Sequence, residues 1–138
     1  MNTFFTADTH FFHANIIKYC SRPFKSSMEM NRVIRTNWNE RVGVQDTVIH
    51  LGDFAFSSKL WQKAFLQSLH GKKILIRGNH DYKAKCMLEI GFEEVYEQLT
   101  WNEWTLVHRP RQGEQILCGH IHNHWKRIGN VINVGVDV

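Results

Sequence analysis

Apolar and polar residues follow two different periods along this chain. Three short apolar runs bounded by Gly, Asp or Asn predict buried strands, at 2–7, 46–51 and 73–77. Apolar residues also recur at the spacing of one helix face and predict helices, at 14–19, 26–41, 58–69 and 82–90. The second helix begins with Ser26-x-x-Glu29, the pattern of a capping box. The first part of the chain is therefore predicted to alternate strand and helix.

After Gly91 the pattern changes to strand-like runs with no helical spacing between them. These runs predict five more strands, at 92–99, 103–107, 115–118, 125–128 and 131–136. Gly129-Asn130 suits a tight hairpin turn between the last two. Alternation followed by a strand meander predicts an α/β fold, in which two mixed β-sheets pack as a sandwich flanked by α-helices. We expect a single domain spanning residues 1–138.

The composition is that of a globular protein from a reducing compartment. A net charge of +4 makes contact with anions easier, but no run of Lys and Arg marks a surface for a polyanion. The three cysteines are far apart and odd in number, which argues against a disulfide framework. The N-terminal residues resemble neither a secretion signal nor a membrane span, so we expect a cytoplasmic location.

Polar residues suited to metal binding come directly after several of the apolar runs, and nine histidines make imidazole unusually frequent. The candidate residues lie in five segments: Asp8-x-His10, Gly52-Asp53, Gly78-Asn79-His80-Asp81, His108 and Gly119-His120-x-His122. Carboxyl ends of strands collect ligands in open α/β sheets. In an extended stretch, D-x-H and H-x-H also place both side chains on one face. We therefore expect these side chains to converge.

The donor types indicate which ions such a site would hold. Carboxylate, amide oxygen and imidazole are present and thiolate is absent, which favours Mn, Fe, Co, Ni or Zn over soft-metal sites. The set is too rich in nitrogen for Ca or Mg alone. A shared carboxylate can bridge two cations about 3.5–4 Å apart, a separation suited to displacement at phosphorus.

The order D-x-H, G-D, G-N-H-D, H, G-H-x-H resembles the calcineurin-like metallophosphoesterase superfamily over residues 8–122. One departure is visible, because Val107 precedes His108 where the family often has Gly. The stretch 13–24 also resembles small bacterial and phage members. The resemblance implies a four-layer fold, two divalent metal ions with Mn preferred, and hydrolysis of phosphoesters by a hydroxide that bridges the metals.

Carried onto this chain, the resemblance implies a role for each residue of the five segments. Three residues would hold one metal: Asp8, His10 and His122. Three others would hold the second: Asn79, His108 and His120. Asp53 would bridge the two ions. His80 would be catalytic, stabilising developing charge or protonating the leaving oxygen. Asp81 would either orient His80 or cap the helix near Tyr82, and we favour the cap.

Other residues receive substrate-binding or structural roles. In this fold the loop after the first strand overhangs the site, so Arg22 and His13 are candidates for binding a substrate phosphate. His50 and His70 are expected to be structural, and His124 to lie outside the ligand set. The five tryptophans are expected in the core or in an interface, which makes a homodimer plausible.

Four functions remain to be weighed. The leading hypothesis is a metal-dependent hydrolase acting on a phosphorylated small molecule or nucleotide, with phosphodiesters preferred. A nuclease acting on DNA or RNA is the alternative. A non-catalytic protein-binding scaffold is disfavoured because every ligand position and His80 are filled. A structural zinc module is disfavoured by the absence of thiolates and the dispersal of the ligands.

Overall fold

The computed structural model describes residues 1–138 as four helices and nine strands. The helices are α1 (Ala14–Tyr19), α2 (Ser27–Arg41), α3 (Lys59–Gln67) and α4 (Ala84–Ile90). The first four strands are β1 (Thr3–Thr6), β2 (Thr47–His50), β3 (Lys72–Ile76) and β4 (Glu94–Tyr96). The others are β5 (Gln98–Trp101), β6 (Trp104–Val107), β7 (Ile116–Cys118), β8 (Arg127–Ile128) and β9 (Val131–Asn133).

The first sheet is parallel throughout and runs in the order β1-β2-β3-β4. The crossovers contain α1 and α2, then α3, then α4, as parallel neighbours require. Half of the predicted capping box forms at the start of α2, because the Ser26 hydroxyl accepts the backbone N–H of Glu29. The Glu29 carboxylate accepts the backbone N–H of Lys25 instead of that of Ser26.

The second sheet is mixed and runs in the order β5-β6-β7-β9-β8. Its two outer pairs, β5 with β6 and β8 with β9, are antiparallel hairpins. Its two inner pairs, β6 with β7 and β7 with β9, are parallel. The Gly129-Asn130 turn joins β8 to β9 as the sequence predicts.

Alternating side chains of the first sheet build two cores. Val48 and Leu75 belong to the core formed with the helices, together with Phe65 of α3 and Met87 of α4. Neighbouring strand residues point the other way, toward the second sheet, and form the core between the sheets, which includes Ile49, Ile74, Ile76, Leu106 and Leu117. The central strands β2 and β3 are covered on both faces, and each contains adjacent buried apolar residues.

The α/β architecture with two sheets and flanking helices is confirmed, and three details differ. The first sheet is parallel rather than mixed, and the second is no simple meander. The predicted strand at 92–99 is divided, because the chain leaves the first sheet after Tyr96 and enters the second at Gln98. An apolar pattern alone does not reveal that its two halves pair with different partners.

Two further findings concern the cysteines and the apolar character of the helices. All three cysteines are free, as the absence of a disulfide framework predicts. None of the four helices combines the length and the apolar character needed to cross a membrane.

Candidate metal centre

The seven predicted ligands lie on loops that follow strands of both sheets. Asp8 and His10 follow β1, Asp53 follows β2 and Asn79 follows β3. The second sheet contributes His108 after β6, and His120 and His122 after β7. The two sheets meet here through hydrogen bonds, since the backbone N–H of His120 donates to Asp8 Oδ2 at 2.8 Å.

Three of these side chains form a first group that can hold a cation. Asp8, His10 and His122 each offer one ligand atom, and these atoms lie within 4.8 Å of one another. Asp8 and His10 are buried, while His122 is partly exposed. The ring centroids of His10 and His122 are 5.0 Å apart. Carboxylate and imidazole donors so arranged suit a divalent transition metal ion.

A second group lies beside the first and consists of Asp53, His108 and His120. Asn79 joins it, because its Oδ1 atom is 2.9 Å from His108 Nε2 and 3.2 Å from His120 Nδ1. An amide oxygen held between two imidazole nitrogens is the arrangement that three ligands of one ion would adopt. The structure thus brings all seven residues together.

The Asp53 carboxylate lies between the two groups. Its Oδ2 atom is 3.5 Å from His10 Nε2 in the first group and 3.3 Å from His108 Nε2 in the second. Burial would raise the pKa of Asp53, but these imidazoles and the His80 backbone N–H hold it well below the usual range. Burial would also lower the pKa of His108, yet the Asp53 charge raises it. A carboxylate kept ionised between two groups of donors is suited to bridging two cations.

Two observations show that the donor set fits metal ions. Asp8 Oδ1 and His10 Nε2 are buried without a hydrogen-bond partner, which is costly unless something binds them. The spacing of the donors also agrees. At metal–ligand distances of about 2.1 Å, neighbouring ligand atoms lie about 3.0–3.4 Å apart in octahedral or tetrahedral coordination. The contacts of Asp53 and Asn79, between 2.9 and 3.5 Å, fall close to that range.

Five of the seven donors have a left-handed backbone. Positive φ angles between 49° and 74° occur at Asp8, His10, Asp53, His120 and His122. Such angles cost about 1–3 kcal/mol each outside glycine and cluster at functional sites. The expectation that D-x-H and H-x-H converge on extended backbone is therefore wrong. Left-handed residues at alternate positions, and not an extended strand, aim these side chains at one volume.

Close packing of the donor loops depends on two glycines. A Cβ atom at Gly78 would lie within 3.0 Å of the Asp53 carboxylate, and one at Gly52 within 3.0 Å of His108 Nδ1. Gly52 also has a φ of +102°. The loops after β2 and β3 can approach each other only because these positions lack a side chain.

Hydrogen bonds fix which nitrogen of two imidazoles, those of His108 and His122, faces the centre. Nδ1 of His108 is 2.7 Å from the Leu51 carbonyl oxygen. Because a carbonyl oxygen can only accept a hydrogen bond, Nδ1 carries the proton and donates it. Nδ1 of His122 is 2.9 Å from the Asp137 carboxylate. Partners of this kind set the tautomer of a ligating histidine and leave its other nitrogen free for a metal.

Arg22 does not reach the centre as a substrate ligand, which corrects the prediction. Its guanidinium is buried and donates to the carbonyl oxygens of Asp8 and Thr9 at 2.6 and 2.8 Å. It also grips both oxygens of Asp137, at 2.8 and 3.0 Å. With its donors engaged inside the protein, Arg22 supports the first donor loop and orients the carboxylate that holds His122.

Asp81 is not the cap of α4, which also corrects a prediction. The residue before α4 is Lys83, and no side chain caps that helix. The Asp81 carboxylate instead accepts the backbone N–H groups of Gly78, Asp53 and Phe54, at 2.7, 2.9 and 3.0 Å. It therefore joins the donor loops that follow β2 and β3.

His80 and His13 lie on the open side of the first group. The His80 side chain is exposed, with its ring centroid 5.6 Å from that of His10. The Nδ1 atoms of His13 and His10 are 3.1 Å apart. His124 lies nearby at the same cavity but belongs to neither group of donors.

His50 is structural, as expected. It is fully buried, and burial lowers its pKa to about 3, so the ring is neutral. Nδ1 accepts the Gly52 N–H, Nε2 faces the Thr9 hydroxyl at 2.9 Å, and that hydroxyl donates to the Phe54 carbonyl oxygen. This relay ties together the loops after β1 and β2. His70 lies in a turn, with Nδ1 2.9 Å from the Val42 carbonyl oxygen.

Sequence reasoning missed two residues that support the centre. Asp137 anchors His122 and Arg22, and Asn133 donates to the carbonyl oxygens of His122 and Trp125 while accepting the Gly135 N–H. The only sign of Asp137 in the sequence is its position after the apolar run that contains β9, like the other acidic donors. Asn133 is part of that run and carries no comparable sign.

Two packed sheets with donor-bearing loops at their strand ends define a metal-binding α/β protein. Comparison with known families is more specific. The model of the calcineurin-like phosphoesterase family matches residues 1–134, so the chain belongs to that family. Its members hydrolyse phosphoesters with divalent metal ions, in agreement with the two groups of donors.

The chain is also similar to individual proteins. An uncharacterized protein of Methanocaldococcus jannaschii is 38% identical over 149 aligned positions, covering 96% of this chain and 80% of that protein. The crystal structure of a protein of unknown function from Aquifex aeolicus has a TM-score of 0.73 at 30% identity, covering 99% and 91% of the two chains. Pseudomonas putida nuclease MPE has a TM-score of 0.56 at 22% identity, covering 86% and 59%, and shows the shared fold.

Proposed function

We propose that this chain is a phosphodiesterase that works with two divalent metal ions. The observation that carries the proposal is the position of Asp53, whose carboxylate contacts His10 of one donor group and His108 of the other. One bridging carboxylate with three further ligands on each side is the donor set of a two-metal centre. Asp8, His10 and His122 hold one ion, while Asn79, His108 and His120 hold the other.

Ions bound at these donors supply an activated water as nucleophile and neutralise the charge of the phosphoryl oxygens. The protein's own contribution is to hold the donors in place and to handle a proton. His80 is exposed at the open side of the centre, and its backbone N–H anchors Asp53 Oδ1 at 2.9 Å. In this proposal its exposed imidazole gives a proton to the departing ester oxygen.

A diester is the favoured substrate because the centre is open. Asn79 and His80 are exposed, so a phosphate with a substituent on each side can approach the ions. Manganese is the favoured metal because the family resemblance implies it, and the mixed set of imidazole and oxygen donors also suits Fe, Co, Ni or Zn. His13 remains a candidate for contact with the substrate, because it borders the cavity beside His80.

A nuclease is the second candidate function. A cavity beside Asn79 and His108 is bordered by three arginines, Arg77, Arg109 and Arg111. Guanidinium groups near a phosphoryl site favour a polyanionic substrate. The solved structure with the same fold from Pseudomonas putida is named a nuclease, which is in keeping with this candidate.

Hydrolysis of bis-p-nitrophenyl phosphate tests the proposal directly. We expect turnover with manganese, no turnover in chelator, and no turnover for Asp53→Ala. For His80→Ala we expect kcat to fall by about 100- to 10,000-fold, because a proton donor is lost. Bound metal, measured by elemental analysis, should be retained in His80→Ala and lost in Asp53→Ala.

The matched control is Glu103→Ala, which removes an exposed carboxylate of the β5–β6 turn and should leave turnover intact. Equal rates of the wild-type protein in metal and in chelator would refute the two-metal proposal. Loss of metal from His80→Ala would show that His80 is a ligand instead of a proton donor.

A further inference from the structure

Two cavities border the candidate centre, and they have no residue in common. The first, of about 450 Å³, is lined by His10 and His122 of the first donor group. The second, also of about 450 Å³, is lined by Asn79 and His108 of the second group. A phosphoryl group bound between the donor groups would therefore have a different cavity beside each half of the centre.

The first cavity presents flat rings. Phe56 is 50% exposed and stacks on His13, with ring centroids 4.6 Å apart and an interplanar angle of 18°. Tyr19 is 72% exposed and meets the edge of the same histidine ring at 6.4 Å. We refer to His13, Tyr19 and Phe56 as the aromatic shelf. Exposed, stacked rings of this kind bind another flat ring by stacking.

The second cavity presents positive charge. Arg77 is engaged by Glu97 at 2.7 Å, and Arg111 donates to Gln98 at 3.2 Å. Arg109 is exposed and takes part in none of the chain's ion pairs. Because no carboxylate pairs with it, the Arg109 guanidinium remains available for an anion. Arg109 follows His108 directly and lines the second cavity, so that anion would lie beside the second donor group.

We infer that the aromatic shelf is a nucleobase subsite and that Arg109 binds the phosphate of a neighbouring nucleotide, which makes single-stranded nucleic acid the substrate. The inference rests on the proposed function and names its substrate class. In a single strand, the cleaved phosphodiester has a base on one side and another phosphate on the other. The base matches the ring-lined cavity, and the anionic phosphate matches the cationic cavity. A duplex does not match, because its bases are paired and stacked on one another.

The size of the cavities and the energy of stacking support this substrate. A volume of about 450 Å³ lies within the range of about 300–1,000 Å³ for small-molecule sites, enough for one nucleoside. Stacking of one base on an aromatic side chain changes affinity by about 5- to 150-fold on alanine substitution. Each phosphate contact on a single strand adds about 0.7 to the slope of log affinity against log salt.

The test measures binding, so that it does not depend on turnover. Metal-loaded His80→Ala protein is titrated with a fluorescent oligothymidylate and with the same strand made abasic. We expect Phe56→Ala in this background to weaken oligothymidylate binding by about 5- to 150-fold and abasic binding hardly at all. We expect Arg109→Gln to weaken both strands and to reduce the salt slope by about 0.7.

Two control variants make the same kinds of substitution, at an aromatic residue and at an arginine that lie outside the two cavities. Trp61 is an exposed aromatic residue of α3, and Arg32 an exposed arginine of α2, and neither lines the two cavities. Trp61→Ala and Arg32→Gln should therefore bind both strands like the parent. An equal effect of Phe56→Ala on thymidylate and abasic strands would overturn the base subsite. An unchanged salt slope in Arg109→Gln would overturn the phosphate subsite.

The outcome separates this inference from the function on which it rests. Metal-dependent hydrolysis of bis-p-nitrophenyl phosphate without binding or cleavage of oligothymidylate would refute the nucleic-acid substrate and leave the phosphodiesterase standing. Strand binding with the expected pattern, but no hydrolysis of either compound with any divalent metal, would refute the phosphodiesterase and leave the two subsites as a site that only binds single strands.

Discussion

Asp8 combines full burial with a carboxylate oxygen, Oδ1, that has no hydrogen-bond partner in the protein. Without an ion, burial raises the pKa of this carboxyl group to about 6, although the imidazoles of His108 and His122 pull in the opposite direction. The left-handed backbone at Asp8 adds local strain. Both features are unfavourable in the metal-free protein, and a cation at Asp8 would remove the electrostatic one.

The pH dependence of stability follows from this residue. The folded, metal-free chain binds the Asp8 proton more tightly than the unfolded chain, whose carboxyl has a pKa of about 3.8. Protonated Asp8 therefore makes its full contribution to the free energy of unfolding below about pH 4. This contribution is lost as the pH rises through about 6. We expect wild type to lose about 3 kcal/mol relative to Asp8→Asn over that interval, because asparagine stays neutral.

Urea unfolding in chelator, at several pH values between 4 and 7, measures this difference. Added metal should abolish the loss in wild type, since the bound cation favours the ionised carboxylate. Parallel stability curves for wild type and Asp8→Asn in chelator would contradict the burial argument.

At the scale of elements, the segment after β9 acts as a support for the donor loops. Asp137 reaches back to His122 and to Arg22, which itself holds the carbonyl oxygens of the loop after β1. The sequence predicts most strands and places donors at their ends, because apolar runs and polar residues are local signals. It does not predict that Arg22 points inward, because its partner is 115 positions away.

Asp137→Ala tests this support. The variant leaves Nδ1 of His122 without its carboxylate partner and releases the Arg22 guanidinium, so His122 loses its fixed orientation. We expect metal affinity to fall by about 10- to 100-fold, as measured by competition with a fluorescent chelator. Asp137→Asn, which keeps an oxygen acceptor for His122, should recover part of the affinity. Full affinity in Asp137→Ala would show that the support is dispensable.

At the scale of the molecule, donors from both sheets meet at one end of the sandwich. The strand order of the second sheet cannot be predicted from the sequence. An apolar run indicates that a strand exists, but it does not indicate which strand lies beside it. Residue types and loop positions nevertheless predict the convergence of Asp8 with His120, although 112 positions separate them. The backbone conformation of a loop residue is harder to predict than its position at a strand end. For this reason the sequence does not predict the left-handed backbone of the donors.

Metal binding should therefore stabilise the whole fold. An ion that binds only the folded state at 100 times its dissociation constant adds about 2.7 kcal/mol. We expect manganese to raise the Tm of wild type and of Glu103→Ala in thermal unfolding, and to have little effect on Asp53→Ala. A metal-independent Tm in wild type would indicate that the donors hold no ion under those conditions.

The contact between the loops after β1 and β7 has a consequence for synthesis of the protein on the ribosome. Asp8 emerges 112 positions before its backbone partner His120, and the Asp137 support is translated later still. A growing chain therefore carries Asp8 without these partners until the segment that contains His120 and Asp137 leaves the exit tunnel. Both donor groups include a histidine of the loop after β7, so neither can be complete before that loop has been synthesised.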